Sequence, residues 1–394
     1  MADGTLIVGS GIFGLTTALE LQARGHAVTL LDAGPVPHPL AASTDISKVV
    51  RIEYGGDELY TSLAEDARAG WLTWNAEYFA APLYHETGAV FLTQDAMQPG
   101  GYEFENYQML TARGHAPERL DQAAIRQRFP AWNGERYVDG YFNPRAGFVE
   151  SGKVVTALAA LARSCGISLR EQRVAAIERS DGRPIVRLES GEALTAGHVV
   201  VAAGAWTPIL LPELTGVLRP VGQPVFHVLP PDPQRFTPPQ FVVFGADSSR
   251  TGWYGFPAHP DTGVVKIANH GPGWPVDPVL GARDVPETQL AALRTFLAGT
   301  FPDLANAPVV YTRCCLYCDT PDEHFWITRH PEVAGLTVAA GDSGHAFKFA
   351  PVLGGLIADA VEGKSSRAGD RFAWRAFAAG AVGQEASRAR WQAD

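Results

Sequence analysis

The sequence predicts an α/β fold in which a nucleotide-binding domain is interleaved with an α+β domain built on a mostly antiparallel sheet. Three observations lead there. The chain has 394 residues, more than one simple hydrophobic core accommodates. Its opening segment runs strand, glycine-rich turn, helix, strand. Farther along, short runs of β-branched and aromatic residues, divided by proline-rich loops, alternate with stretches of helical period.

The opening unit begins with TLIV, an apolar strand over residues 5–8, followed by Gly9-Ser10-Gly11-Ile12-Phe13-Gly14. An amphipathic helix, LTTALELQARG, ends at Gly25, and the next strand, AVTLLDAG, places Asp32 at its end. In this β-α-β context GxGxxG is a dinucleotide-binding signature of Rossmann type. Gly9 permits the tight turn, Gly11 lets a pyrophosphate approach the backbone, and Gly14 allows helix and strand to pack closely. Phosphates would sit on the free N–H groups of the helix N-terminus. Asp32 would accept hydrogen bonds from a ribose diol. The motif alone does not separate FAD from NAD.

Residues 151–166 read as a helix, followed by the strands QRVAAIE and PIVRLES. GHVVVAAGAW, residues 197–206, reads as a buried strand ending in small residues. Residues 83–94, 219–229, 241–244 and 264–268 read as strands between loops such as LPPDPQRFTPP and HGPGWPVDP. The predicted division assigns 1–82, 148–215 and 325–394 to the nucleotide domain and 83–147 and 216–324 to the substrate domain. The aromatic stretch 95–110 reads as a loop, which would shape a pocket or pack on the sheet. The Ala- and Arg-rich tail from Ser365 reads as helical.

Composition narrows the function. Hydrophobic residues make up 46% and charged residues 19%, the balance of a well-packed globular protein. A formal net charge of −10 argues against nucleic-acid or anionic-membrane partners. No uninterrupted apolar run reaches a membrane span. The start, MADGTLIVGSG, has no basic n-region, so the expectation is a cytoplasmic protein without a signal peptide.

Three of the four cysteines fall in the stretch RCCLYCDTPDEHF. The CxxC of Cys315 and Cys318 is a weak zinc signal, because no second CxxC exists. VVYTRCCLYC reads as a strand, in which Cys315 and Cys318 would lie about 10 Å apart, too far for a disulfide. Alternation places Arg313, Cys315 and Tyr317 on one face and Cys314, Leu316 and Cys318 on the other. Beyond it come FWIT, LTVAAG and Gly341-Asp342-Ser343-Gly344-His345-Ala346-Phe347-Lys348, opening the apolar stretch FAPVLGGLIADAV. This again is strand, glycine turn and helix N-terminus, an arrangement that stabilises negative charge.

Taken in order and spacing, GSGIFG with Asp32, VVVAAGAW, CLYCDTPDEHF and AAGDSGHAFKFAPVLG resemble the FAD-dependent amine oxidases grouped with D-amino-acid oxidase. The branch is that of monomeric sarcosine oxidase, N-methyltryptophan oxidase, pipecolate oxidase and fructosyl amino acid oxidase. The resemblance spans nearly the whole chain. It implies FAD, bonded covalently through Cys315, with Cys314 and Cys318 as structural neighbours. It implies cofactor contacts from Gly9, Gly11, Ile12, Phe13, Gly14, Asp32, Ala33, Ser47, Lys48, Val174, Ala203, Gly204, Trp206, Gly341, Ser343, Gly344, His345, Phe347 and Lys348.

Lys266, in TGVVKIANHG, matches the family's oxygen-activating lysine. Lys348 and Arg51 match a clamp for a substrate carboxylate, with Lys48 one helical turn before Arg51 and beside the flavin ring. Tyr254 and His270 would line the substrate cavity. The implied reaction oxidises the C–N bond of a secondary amine or N-substituted amino acid to an imine that hydrolyses, and reduces O2 to H2O2. The partners are then a small amine and oxygen, the protein a monomer, and no metal is required. Sarcosine oxidases carry an arginine where Lys48 stands and a histidine shortly before it. AASTDISKVVR is closer to the fructosyl amino acid oxidases, which points to a substrate larger than sarcosine. The rival readings are a flavin dehydrogenase or tailoring enzyme using another acceptor, a non-catalytic flavin sensor, and an NAD-dependent dehydrogenase.

Overall fold

Two large sheets carry most of the strands of the computed structural model, which describes residues 4–389 apart from 379 and 382. The first has six strands in the order Trp326–Arg329, Leu336–Ala340, His198–Val201, Thr5–Val8, Val28–Asp32, Ser168–Glu171. Neighbours run parallel except Trp326–Arg329, which is antiparallel to Leu336–Ala340. Both faces are covered, so the central strands are apolar throughout rather than alternating. Ile7, Leu30 and Val200 face a core shared with Leu15, Leu158 and Leu353 of the helices Ile12–Ala23, Ser151–Ser164 and Ala350–Glu362. Leu6, Leu31 and Val201 face the other way, onto Val186 and Leu188 of a three-stranded sheet.

The second sheet has nine strands. Its order is Trp274–Pro275, Arg219–Val228, Val265–Asn269, Trp253–Ala258, Val243–Ala246, Ala89–Thr93, Asp139–Asn143, Glu118–Asp121, with Val309–Asp319 also paired to Arg219–Val228. Pairings are antiparallel except Val243–Ala246 with Ala89–Thr93. The cysteines lie on Val309–Asp319, in the register Gln223 opposite Cys315. Cys314 and Leu316 join one apolar cluster and Cys315 and Tyr317 another, as strand alternation requires. No disulfide joins any of the four cysteines.

Four sequence expectations change. Lys48–Val50 is a strand paired with Gly147–Val149, not a helical turn. The β-branched Val49 and Val50 find a tertiary partner there. The stretch 95–110 includes the start of a helix, Tyr102–Ala112, whose Leu110 enters the main core and whose Tyr107 packs near Tyr141, 6.2 Å between ring centroids. The C-terminal helix starts at Ala350, behind a 3-10 turn at Phe347–Phe349, so the glycine turn does not open it directly. The tail has one 3-10 turn, Gly369–Phe372, and is otherwise irregular in its described residues. Ion pairs fix it instead of backbone ladders: Arg375 to Asp322 at 2.7 Å, half-buried, and Arg388 to Asp319 at 2.6 Å, buried. Among the described residues no helix is long and apolar enough to cross a membrane.

Gly14 is a contact constraint. A Cβ there would lie 1.8 Å from the Gly9 carbonyl oxygen. Gly14→Ala should therefore cost about 1–3 kcal/mol through overpacking, seen as a lower midpoint in urea or thermal unfolding.

Candidate active site

A cavity of about 860 Å³ opens where the parallel strands end and the second sheet begins. At one end it is lined by Gly9, Gly11, Ile12, Phe13, Asp32 and Ala33, and along its length by Val174, Ala203, Gly204 and Trp206. Lys48, Arg51, Tyr254, Lys266, His270 and Cys315 line it too, with Gly344, His345, Phe347 and Lys348. Four expected contact residues stand outside the lining. Gly14 seats the helix on its strand, and the Ser47 carbonyl accepts a hydrogen bond from Lys266. Gly341 and Ser343 shape the C-terminal turn with φ of 68° and 43°.

At the nucleotide end, Asp32 Oδ2 accepts from the Ser10 N–H at 2.6 Å. Burial pushes its carboxyl pKa up, and that N–H opposes the rise. The first free N–H of the helix, at Ile12, donates to Ser43 Oγ at 3.0 Å. The C-terminal glycine turn docks on the cysteine strand. Asp342 accepts from the N–H groups of Cys318 at 3.2 Å and Gly344 at 2.9 Å, and burial raises its pKa to about 6.

Lys266 is 3% exposed, and its ammonium donates to Asp45 Oδ2 at 2.5 Å. Burial lowers its pKa to about 8, although the Asp45 carboxylate opposes the fall. For Asp45 burial acts to raise the pKa. The charges of Lys266 and Lys48, together with the His227 side chain, outweigh it and hold the carboxyl far below its ordinary range. The pair joins the second sheet to residues 41–47. That segment also binds Arg313 through the Ala41 carbonyl at 2.6 Å and Gly152 N–H through the Asp45 carbonyl at 2.8 Å.

Lys348 is buried with its ammonium on Tyr54 Oη and the His345 carbonyl, both at 2.8 Å. Burial, then the nearby charge of Arg51, drives its pKa well below the ordinary lysine value. Arg51 is held from the tail: Nη2 donates to Ser387 Oγ at 2.7 Å and lies 3.5 Å from Glu385 Oε1. His270 Nε2 lies 3.1 Å from Glu385 Oε2.

Residues 5–360 match the family described as FAD dependent oxidoreductase. The chain belongs to that family. The L-saccharopine oxidase of Schizosaccharomyces pombe is 28% identical over 95% of this chain and 94% of its own length. The monomeric sarcosine oxidase of Streptomyces avermitilis is 32% identical over 90% of this chain and 92% of its own. Among solved structures, the deglycating fructosamine oxidase Amadoriase II of Aspergillus fumigatus superposes with a TM-score of 0.81 at 26% identity, covering 99% of this chain and 94% of that one.

The cavity of this FAD-dependent oxidoreductase fits the family's cofactor. Its volume is that of a large ligand site. Glycines let its walls pack closely: a Cβ on Gly9 would lie 2.4 Å from the Ala202 carbonyl oxygen, and one on Gly344 2.0 Å from the Tyr317 ring. Cys315 lines the same space within electrostatic reach of Lys266. Sequence reasoning missed Ser43, Asp45, Tyr54, Glu385 and Ser387. The only signal for Asp45 was an acid three residues before Lys48. For the two tail residues there was none, because they meet Arg51 from 334 and 336 residues farther along the chain.

Asp45→Asn leaves the Lys266 ammonium buried beside a neutral partner. It should cost about 3–5 kcal/mol in urea unfolding near pH 6. The variant's Lys266 pKa falls below about 8, so it sheds its proton at lower pH than the wild type. The loss should therefore shrink between pH 6 and pH 9.

Proposed function

We propose that this oxidoreductase oxidises the C–N bond of a secondary amine or N-substituted amino acid and passes the electrons to oxygen, giving an imine that hydrolyses and H2O2. One observation carries the reading. A buried lysine, a cysteine, and a paired lysine and arginine suited to a carboxylate line a single cavity. Relatives named sarcosine oxidase and N-methyl-L-tryptophan oxidase match over most of their length. Bound FAD supplies the two-electron acceptor.

The chain's residues divide the remaining work. Arg51 and Lys348 orient the amine's polar end, with Tyr254 and His270 as walls. The cations Arg51, Lys266 and Lys48 around the cavity favour the neutral amine over the ammonium, so no strong base is needed. Lys266 carries a fixed positive charge to where negative charge develops as oxygen is reduced. Cys315 is the covalent anchor. Gly9, Gly11 and the helix behind them hold the pyrophosphate, Asp32 the ribose, and Gly344, His345 and Phe347 the ring. The same reading divides the chain into a cofactor domain of 1–82, 148–215 and 325–394 and a substrate domain of 83–147 and 216–324. A cytoplasmic monomer is part of it.

A screen of N-alkyl, cyclic and glycated amino acids for peroxide release tests the function. Amines that are consumed without peroxide would replace the oxidase by a dehydrogenase. Purified protein should stay yellow after acid denaturation, and Cys315→Ala should release the colour. Free flavin from the wild type would refute the thioether. Lys266→Met should slow reoxidation by oxygen by roughly 100-fold or more while slowing reduction by amine far less. Equal losses in both half-reactions would remove the assigned role.

A further inference from the structure

The C-terminal tail brings a carboxylate to the end of the cavity where a substrate's acid would bind. Glu385 is 3% exposed. One of its oxygens lies 3.5 Å from Arg51 Nη2, and Ser387 Oγ bridges the two, 2.7 Å from Nη2 and donating to Glu385 at 2.6–2.8 Å. The other oxygen lies 3.1 Å from His270 Nε2. Burial lowers the pKa of His270, and its Nδ1 has no hydrogen-bond partner among the described residues, as suits a neutral ring that donates from Nε2. Burial would raise the pKa of Glu385, but His270 and Arg51 outweigh it and keep the carboxyl ionised.

The consequence falls on Arg51. Its fork is half used: Nη2 is taken by the tail, while Nη1 is buried without a partner among the described residues, on a side chain that lines the cavity. A second buried carboxylate, Glu53, also acts on its charge. Nη1 stays open to a ligand, while the positive charge already has the carboxylates of Glu385 and Glu53 near it. A ligand carboxylate at Nη1 would therefore meet a charge that is already countered.

We propose that Glu385 is a specificity-determining residue: by balancing Arg51 from behind, it reduces the site's preference for a carboxylate and admits amines whose polar end is uncharged, such as an amide or a hydroxyl. The inference rests on the reading of Arg51 as the clamp for that end. Ser387 is the positioning residue that couples acid to guanidinium, and the tail that carries both is fixed by Arg388 on Asp319 at 2.6 Å and by the Ala389 N–H on the His270 carbonyl at 3.0 Å.

The test is a titration of the purified holoenzyme with pyrrole-2-carboxylate and with its neutral carboxamide, read by the flavin spectrum and by the rise in unfolding temperature. Glu385→Gln should tighten the carboxylate about tenfold or more, the effect of roughly 1.4 kcal/mol, and move the carboxamide less than about threefold. Glu385→Asp, which keeps the charge, should hold the wild-type ratio of the two affinities. Should Glu385→Gln not fold, Ser387→Ala should shift the ratio in the same direction. An unchanged ratio, absence of carboxylate binding in every protein included, or a parallel change for both ligands, overturns the proposal. Peroxide release from amines by the wild type is scored separately. Its absence would sink the oxidase reading and leave these binding ratios intact.

Discussion

The contact between Lys266 and Asp45 holds the two halves of the cavity in register. A lysine on a strand of the second sheet and an aspartate on the loop after the first β-α-β unit meet where water is excluded. Neither charge is tolerable there alone. The loop that carries Asp45 therefore has little freedom, and its other groups inherit that restraint. Ser43 takes the first helical N–H, Ala41 takes Arg313, and Ser47 takes Lys266 a second time. The helix start at Ile12 and the Lys266 end of the cavity are thus tied through seven consecutive residues, 41–47.

The same economy of charge governs the far end. Arg51, Glu53, Glu385, His270 and Lys348 are all buried there. Such a cluster persists only if nearly every charge has an opposite within reach and nearly every polar atom a partner. Glu385 and Arg51 satisfy that condition across 334 positions of sequence, and Lys348 satisfies it through Tyr54 and His345. Arg51 Nη1 and His270 Nδ1, without a hydrogen-bond partner among the described residues, belong to side chains that line the cavity.

The cysteine strand links fold to site. Its alternation sends Cys315 and Tyr317 to the cavity and Cys314 and Leu316 to a small apolar cluster. The glycine turn of residues 341–344 docks on it through Asp342 and through the Ser343 N–H, which donates to the Cys318 carbonyl at 3.1 Å. A ring held there would be framed by one strand and one turn, each fixed by backbone hydrogen bonds. That is a rigid frame, which a positioned reaction requires.

By itself the sequence determined whatever depends on local period and local stereochemistry. The β-α-β unit, the buried strands, the alternation of the cysteines, the turn at Gly9 and the close packing at Gly14 follow from spacing and from the absence of a Cβ. It also carried the family's motifs, and with them Lys266, Cys315, Arg51 and Lys348, which the fold brings to one cavity. Tertiary structure alone decided the rest. Lys48–Val50 became a strand because Gly147–Val149 lies beside it, and the tail forwent a helix because Asp319, Asp322 and Arg51 offered its side chains partners of opposite charge or polarity. Asp45 and Glu385 were invisible for the same reason: a charge acquires its meaning from the dielectric and the counter-charge around it, and both are set by distant chain.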